Sequence, residues 1–283
     1  MSYLLALGSA VLYGAADFLG GFASRKASTI VILIVVQVAG LLPLVLLLPL
    51  LGGALSAADL RWSAAAGLAG SAGVGLLYRA LAIGTMSIVA PTTAVCAVLL
   101  PVAADAAGGE RLAALTWAGI ALAVAAIVLV SRHDAAGPAF DAASSGLPPG
   151  LTHAFVSGVA IGVFFISLAR TSPGAGIGPL LVSRGTSLLV FGAAALVRRP
   201  AMRLPPKVGR LAVACGVVDA LANALYILAT RGGPLSVVVT LASLYPASTV
   251  MLARVVLGER LSRAQTAGVV CAMVAVVLIL GTS

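Results

Sequence analysis

The chain has 283 residues, of which 61% are hydrophobic and only 9% are charged, and its mean hydropathy is +1.16. A soluble domain carries roughly 25% charged residues, so this composition excludes a water-covered globular protein and predicts one surrounded by lipid. The formal charge of +9 comes from basic residues in short loops between apolar runs, which is typical of membrane proteins and argues against a nucleic-acid partner.

Ten apolar segments follow one another along the chain, and each is long enough for a membrane-spanning helix, which needs about 20 residues. The N-terminal segment lacks the positively charged start of a cleaved signal peptide, so we interpret it as a retained first span. The ten predicted spans are 3–23, 30–51, 60–83, 87–107, 112–130, 151–169, 177–197, 208–229, 235–257 and 264–280.

One long hydrophilic break divides these spans into two groups of five. It is the segment RHDAAGPAFDAASSGLPPG at 132–150, which is rich in Pro, Gly, Ser and Asp and predicts a linker. We therefore predict a first repeat of five spans over 1–131 and a second repeat of five spans over 151–283.

The two halves carry matching residues. The tetrapeptide GERL occurs at 109–112 and again at 258–261, each time between the fourth and fifth span of its half. There the glycine is expected to end one helix, and the glutamate to meet the positive N-terminus of the next. At nearly the same offset three further pairs coincide: Ser71 with Asp219, Gly75 with Asn223, and Tyr78 with Tyr226. In phase with the hydropathy pattern, these matches predict an internal duplication.

An odd number of spans per repeat has a geometric consequence, because the second copy must then enter the membrane from the opposite side. The predicted fold is an all-α integral membrane protein of ten transmembrane helices, arranged as two inverted five-helix repeats. Transporters with inverted repeats bind their substrate near the membrane midplane, between the halves. An inverted repeat can also be a purely ancestral feature, so the architecture favours transport without requiring it.

Two longer stretches carry a family resemblance. They are YRALAIGTMSIVAPTTAVCAVLLPVAADAAGGERLAALTWAGIAL from Tyr78 and YILATRGGPLSVVVTLASLYPASTVMLARVVLGERLSRAQTAGVV from Tyr226. Both resemble the core of the EamA-type repeat of the drug/metabolite transporter superfamily, and as two copies the resemblance covers nearly the whole chain. It implies ten helices, alternating access, and a small metabolite, amino acid or drug-like solute as cargo, mostly exported. It names no substrate.

Three ionisable residues are deeply enclosed in apolar sequence: Asp17 in the first span, Arg184 in the seventh and Asp219 in the eighth. A charge at the bilayer centre costs about 2.5–3.5 kcal/mol on insertion scales, so such a residue usually faces a cavity or a partner. Asn223 and Tyr226 follow Asp219 at helical spacing, which places all three side chains on one face.

Two interpretations of these residues are open. In the structural one, Asp219 or Asp17 pairs with Arg184, and Asn223 makes an interhelical hydrogen bond. In the functional one, Asp219 and Asn223 contact polar cargo, Asp17 provides a second contact or takes up a coupling proton, and Arg184 binds an anionic group or balances the charge. The serine that matches Asp219 in the first half carries no charge, and this asymmetry favours a role in cargo binding.

Tyrosines complete the candidate site. Tyr78 and Tyr226 recur at matched positions, as either a cavity wall or a packing contact, and Tyr245 precedes Pro246 in the ninth span, where a kink would border the cavity. The candidate substrate-binding or coupling residues are Asp17, Tyr78, Arg184, Asp219, Asn223, Tyr226 and Tyr245.

The sequence contains no recognisable catalytic, metal or cofactor motif. Cys96, Cys215 and Cys271 fall singly in separate apolar runs, and His133 and His153 lie in or beside the linker. We predict that the chain is not an enzyme, needs no cofactor or metal, and has the lipid bilayer and a small-molecule substrate as its partners.

The basic residues predict the orientation in an inner or plasma membrane. The side that holds the loops after odd-numbered spans has 12 of them, and the opposite side has 4. The positive-inside rule then places both termini outside the cytoplasm, whereas the family resemblance implies both inside; the charge count is preferred, because the basic segment RRPAMRLPPKVGR is hard to place outside.

Three other functions compete with solute transport. A flippase for a lipid-linked sugar or another amphipathic lipid would need a cavity that opens sideways to lipid. A membrane enzyme acting on lipids would need a clustered nucleophile or metal set. A non-transporting scaffold would tolerate neutral replacement of its polar span residues.

Overall fold

The computed structural model describes residues 2–107, 114–131, 147–232, 242 and 244–280. Within these ranges the chain forms ten α-helices, a short 3-10 helix at Pro173–Ala175 and no β-strand. The helices are α1 (Ser2–Ser24), α2 (Thr29–Leu51), α3 (Ala57–Ile83), α4 (Met86–Ala107), α5 (Ala114–Ser131), α6 (Leu151–Ala169), α7 (Gly178–Arg198), α8 (Pro206–Gly232), α9 (Tyr245–Leu257) and α10 (Arg263–Leu280).

These helices lie where the hydropathy pattern predicted spans. Six of them, α1, α2, α3, α6, α7 and α8, are long and apolar enough to cross a membrane, judged by length and composition over the described residues. The other four predicted spans stay predictions. Most of the first half of the span 235–257, most of the linker 132–150, and the first GERL copy lie outside the described residues.

The outer surface of the helices is apolar. Leu50, Leu196 and Val255 are exposed to 79%, 80% and 77%, respectively. Exposure of apolar side chains to this extent is unfavourable in water and favourable among lipid tails. The bundle therefore has the surface of a multi-pass membrane protein.

Helices of one half pack mainly against helices of the other. The pairs include α1 with α8, α3 with α6, α2 with α7, and α5 with α10. The Ser9 hydroxyl in α1 donates a hydrogen bond to the Ala222 carbonyl in α8 (2.9 Å), and the Cys215 thiol donates to the Ala16 carbonyl (3.2 Å). Because residue numbers rise along α1 as they fall along α8, these two helices run antiparallel.

The second helices of the two halves, α2 and α7, are also antiparallel. Arg184 in α7 donates to Gln37 in α2, while the Ile177 amide at the start of α7 donates to the carbonyl of Leu51 at the end of α2 (3.0 Å). An isolated β-bridge between Gly52 and Gly176 extends this contact into the adjoining loops.

The chain directions define two ends of the bundle. One, called here the Asp59 end, contains the α2–α3 and α6–α7 connections. The other, called the Glu259 end, contains the α1–α2, α3–α4, α7–α8 and α9–α10 connections. Ser2 and Leu280 lie at the Asp59 end, because α1 runs away from it and α10 runs towards it.

The second GERL copy corrects one expectation from the sequence. Gly258 ends α9 in the left-handed conformation (φ +66°), as predicted. The Glu259 carboxylate, however, accepts hydrogen bonds from the Met86 and Ser87 amides (3.0 and 2.9 Å), which form the N-terminus of α4. The prediction that it meets the next helix, α10, was wrong, because α9 packs against α4 and brings that helix terminus of the other half within reach.

Candidate functional site

An ion pair of the second half lies in the middle of the bundle and contacts the first half through a hydrogen bond. The guanidinium group of Arg184, a residue only 8% exposed, donates to the Asp219 carboxylate in α8 and to Gln37 Oε1 in α2 (3.1 Å). Of the two acidic partners that the sequence left open, Arg184 therefore binds Asp219. Protein groups thus compensate the charge of Arg184, as a charge within a membrane-spanning helix requires.

A glycine missed by the sequence analysis makes room for this pair. Gly40 lies one turn after Gln37 on α2, and a Cβ atom added there would overlap the Arg184 guanidinium. On the facing helix, a Cβ on Gly216 would overlap the Val36 carbonyl. The signal available in the sequence was the i, i+3 spacing of Gln37 and Gly40, which puts both on one helical face.

Asn223 acts on Asp219 rather than on another helix. Its side-chain amide donates to the Asp219 backbone carbonyl one turn earlier (2.7 Å) and lies 3.4 Å from the Asp219 carboxylate. The predicted interhelical hydrogen bond is thus replaced by a bond within α8. The Asp219 side chain is 28% exposed despite its ion pair, so protein atoms do not enclose it completely.

Asp17 lies near this pair but takes no part in it. The two carboxyl groups are close enough to interact electrostatically. Asp17 is half-buried on α1, and its carboxylate has no hydrogen bond or ion pair within the part of the chain described here. Among the described residues, Arg184 therefore pairs with Asp219 and not with Asp17.

The tyrosines divide into a buried one and a half-buried group. Tyr78 is 2% exposed, its ring packs where Gly20 has no side chain, and its hydroxyl lies 3.1 Å from Cys215 Sγ. Of the two roles that the sequence left open for Tyr78, this environment is a packing contact. Tyr226 is half-buried beside Ala6.

Tyr245 stands at a helix start. α9 begins at this residue, and Pro246 lies in its first turn, where a missing amide proton costs no helical hydrogen bond. The Tyr245 carbonyl packs against α1 where Gly14 leaves space. Tyr13, one residue before Gly14, is half-buried and interacts electrostatically with Asp219, Arg184 and Asp17, a role that the sequence analysis did not assign to it.

No group of three or more His, Cys, Asp or Glu side chains that could hold a metal ion occurs among the described residues. The chemistry of the site is therefore that of an ion pair, a free carboxylate and phenol rings. Such groups can bind and release a charged or polar solute, or a proton.

Three comparisons relate the chain to known proteins. The sequence profile of the EamA-like transporter family matches residues 1–132 and again residues 148–281. A search of curated proteins found no match. Among solved structures that are similar, one described only as "Crystal structure of protein" has a TM-score of 0.59 and 17% sequence identity, covering 95% of this chain and 96% of that chain. At that identity the likeness concerns the fold alone.

The two profile matches together cover nearly all of the chain, in two copies, as the GERL repeats predicted. The resemblance inferred from the sequence is confirmed, and so is the prediction that the chain is a transporter rather than an enzyme. The chain belongs to the EamA-like transporter family.

Proposed function

We propose that this protein exports a small metabolite, amino acid or drug-like solute by alternating access of two inverted five-helix halves. The observation that carries the proposal is the buried contact of Arg184 with Asp219 and Gln37, because it draws polar groups from both halves to one point deep in the bundle. In inverted-repeat transporters this is where the substrate binds.

We assign a role to each site residue from its contacts. Asp219, oriented by Asn223, binds a polar group of the cargo, and Arg184 balances its charge or binds an anionic group. Asp17 is the second contact or the site of a coupling proton. Tyr226 and Tyr245 line the cavity. Tyr78 supports its wall through Cys215.

The helix directions support the inverted arrangement. α2 and α7 occupy the same place in their respective halves and run antiparallel, as two inverted copies must. The cross-half pairs support it too: α1 packs on α8 as α6 packs on α3, and α2 packs on α8 as α7 packs on α3.

Alternating access needs contacts between the halves at both ends, and the bundle has a carboxylate latch at each. In the Glu259 latch, Glu259 of the second half binds the Met86 and Ser87 amides of the first half and pairs with Arg25 (3.4 Å). Arg25 in turn donates to the carbonyls at the end of α3 and just after it.

In the Asp59 latch the roles of the halves are exchanged. Asp59 of the first half accepts hydrogen bonds from the Ser172 amide (2.6 Å) and hydroxyl (3.0 Å) of the second half. The Ser56 amide and hydroxyl also donate to it and orient it. Hydrogen bonds of this kind can be exchanged for bonds to water, so each end can open while the other stays closed.

The charge count gives the orientation that we propose. Twelve of the basic residues belong to the side that holds the loops after odd-numbered spans, and those of them that the structure describes lie at or near the Glu259 end. This end would face the cytoplasm of an inner or plasma membrane, and both termini would then lie outside. Labelling of cysteines placed near residues 2 and 280 from the cytoplasmic side alone would contradict this orientation.

Transport itself is tested in proteoliposomes. Vesicles loaded with a mixture of amino acids, amines and organic acids are diluted into solute-free buffer, and the solutes released are identified by mass spectrometry. We expect wild-type vesicles to release at least one solute faster than protein-free vesicles, and the Asp219→Asn variant to release it more slowly.

The doubly neutral variant Arg184→Gln/Asp219→Asn is the matched control, because it leaves no unpaired charge to disturb folding. If no solute is released above the protein-free rate, transport of small solutes is refuted. If, in the same vesicles, a fluorescent lipid is translocated, the flippase is the function.

A further inference from the structure

Two neighbouring helices leave an open groove on the lipid-facing surface of the bundle. α9 and α10 follow each other in the chain and each packs against α4, whereas the two make little contact with each other along the described residues. A groove of about 360 Å³ lies between them. Sites that bind small ligands have volumes of about 300–1,000 Å³, so the groove can hold a small ligand or one part of a larger one.

The groove is apolar along most of its length. Its floor includes Val250 of α9 and Val269 of α10, which belong to one core cluster with a side chain of α4. Its rim includes Met251, Val270 and Val274, which are exposed to 65%, 56% and 45%. A ligand in this groove must therefore be apolar both where it contacts the protein and where it faces the surrounding lipid.

The groove follows the direction of the helices. On α9 its lining residues extend from Ala247 to Arg254, which at a rise of 1.5 Å per residue is about 10 Å. One leaflet contributes about 15 Å to the hydrocarbon core of a bilayer, so the groove runs along much of one leaflet. A lipid acyl chain, which lies along the same direction, has the shape and the polarity that fit it.

One end of the groove is positively charged. Arg254, in the last turn of α9, is exposed, and its guanidinium group donates to the Thr266 hydroxyl in the first turn of α10 (3.5 Å). This turn is the positive end of the α10 dipole, and it begins with another cation, Arg263. Among the described residues Arg254 pairs with no carboxylate, since Glu259, the acidic residue nearest to it in the sequence, binds the α4 amides and Arg25.

We propose that the groove between α9 and α10 binds an anionic phospholipid. One acyl chain lies in the groove, and the phosphate group accepts hydrogen bonds from Arg254 beside the first turn of α10. A zwitterionic phospholipid fits less well, because its own cation adjoins the positive end of the groove. The orientation proposed above places this end in the cytoplasmic leaflet, whose anionic lipids attract basic residues at the membrane surface.

The lipid site is separate from the cargo site. Arg184 and Asp219 lie on α7 and α8, and neither lines the groove. The inference therefore goes beyond the proposed transport function and does not rest on it. If no solute crosses the membrane in the vesicles described above, the lipid site stands, and if the lipid does not bind, transport stands.

The test is native mass spectrometry of the full chain released from a non-ionic detergent. The probes are phosphatidylglycerol and phosphatidylcholine with the same palmitoyl and oleoyl chains, so a difference between them reports on the headgroup. We expect the first phosphatidylglycerol to bind about fivefold more tightly than phosphatidylcholine, as one arginine near the headgroups allows. Glycerol 3-phosphate, which has the charged phosphate without the chains, should bind more weakly than phosphatidylglycerol. These comparisons use only the wild-type protein.

Variants then assign the site. Arg254→Gln should remove the preference for phosphatidylglycerol, while the matched change Arg198→Gln, at an exposed arginine in the last turn of α7 at the same end of the bundle, should leave it unchanged. Val274→Trp should fill the groove and weaken the binding of phosphatidylglycerol severalfold. Val213→Trp, on α8, is its control, because the two valines are exposed to 45% and 47% and only Val274 lines the groove.

Four results would overturn the proposal. They are equal affinity of the wild type for the two lipids, an unchanged preference in Arg254→Gln, equal effects of the two tryptophans, and binding of glycerol 3-phosphate as tight as that of phosphatidylglycerol. A dimer in lipid-free detergent that Val274→Trp dissociates would also overturn it, because a second copy of the chain would then fill the groove.

Discussion

Neutralising Glu259 should open the end of the bundle that it closes. Its carboxylate holds two backbone amides of α4 and a guanidinium group that is itself partly exposed. A hydrogen bond to a charged group contributes about 1.5–3 kcal/mol and one between neutral groups about 0.5–1.5 kcal/mol, so Glu259→Gln loses about 1 kcal/mol for each amide.

The Arg25 pair adds less than the amides do. The two side chains are 27% and 11% exposed, and ion pairs accessible to solvent contribute about 0–1 kcal/mol. The total loss is about 2–3 kcal/mol. Since 1.4 kcal/mol is a factor of ten, the ratio of open to closed protein at this end should rise about 30- to 140-fold. Between the halves Arg25→Gln removes only the weaker contact, because the carbonyls that Arg25 also binds belong to its own half, and it should change the ratio about fivefold at most.

Two buried serines can report which end is open. Ser24, the last residue of α1, and Ser63, one turn after Asp59, are buried, and their hydroxyl groups have no hydrogen-bond partner among the described residues. Each is changed singly to cysteine, and its alkylation by a water-soluble maleimide in membranes is followed by mass spectrometry of its peptide. Glu259→Gln should raise the labelling rate at position 24 by at least tenfold and not that at position 63.

The matched variant at the other end is Asp59→Asn, which should have the opposite effect. It weakens the bonds that Ser172 donates across the halves, so labelling at position 63 should rise while labelling at position 24 stays low or falls. If both variants raise labelling at both positions, the latches only stabilise the bundle. If neither variant changes labelling at its own end, the carboxylates do not control access.

Three further predictions concern stability, measured as melting of the purified protein in detergent. Arg184→Gln or Asp219→Asn alone should lower the free energy of unfolding by about 3–5 kcal/mol, because each leaves the charge of the other residue unpaired. The double variant should lower it by less than either single variant, and additive losses would refute the ion pair. Gly40→Ala should lower the melting temperature, because the added methyl group displaces Arg184, while Gly192→Ala, where a Cβ meets no atom within 4 Å, should not; equal effects would contradict the described packing. Gly258→Ala should lower the free energy of unfolding by about 1 kcal/mol, because glycine adopts φ +66° without strain and alanine does not. An unchanged melting temperature would contradict the left-handed conformation at the end of α9.

Hydropathy sufficed to predict the helices, because lipid demands long apolar segments whatever packs beside them, and the two GERL copies in phase with it predicted the repeat. It could not predict which carboxylate pairs with Arg184. Asp17 and Asp219 are equally polar, and the choice is made by the position of α8 between α1 and α2, which depends on contacts between distant segments. Glycines such as Gly40 carry no signal of their own, since their role is defined by the side chain that fills the space.

The GERL repeat also shows what the sequence could predict and what it could not. Its glycine acts locally, so the end of α9 was predictable from the sequence. Its glutamate acts on a neighbouring helix, and no feature of the sequence says that this neighbour is α4 of the other half rather than α10. Local conformation could be inferred from residue types, whereas the identity of the helix beside it required the structure.

The duplicated fold carries a polar site built mainly from one copy. Ser71, which matches Asp219, is 2% exposed and donates to the Gly67 carbonyl within its own helix (2.6 Å), so this position serves helix packing in the first half. The position 148 residues before Arg184 is the buried Val36, so the guanidinium group also has no charged counterpart in the first half. In the proposed mechanism, matched helix contacts connect the two open states, while the charged pair that would contact the cargo lies in the second half alone. We therefore expect symmetric helix contacts to govern the exchange between the two open states, and asymmetric charge to govern the recognition of cargo.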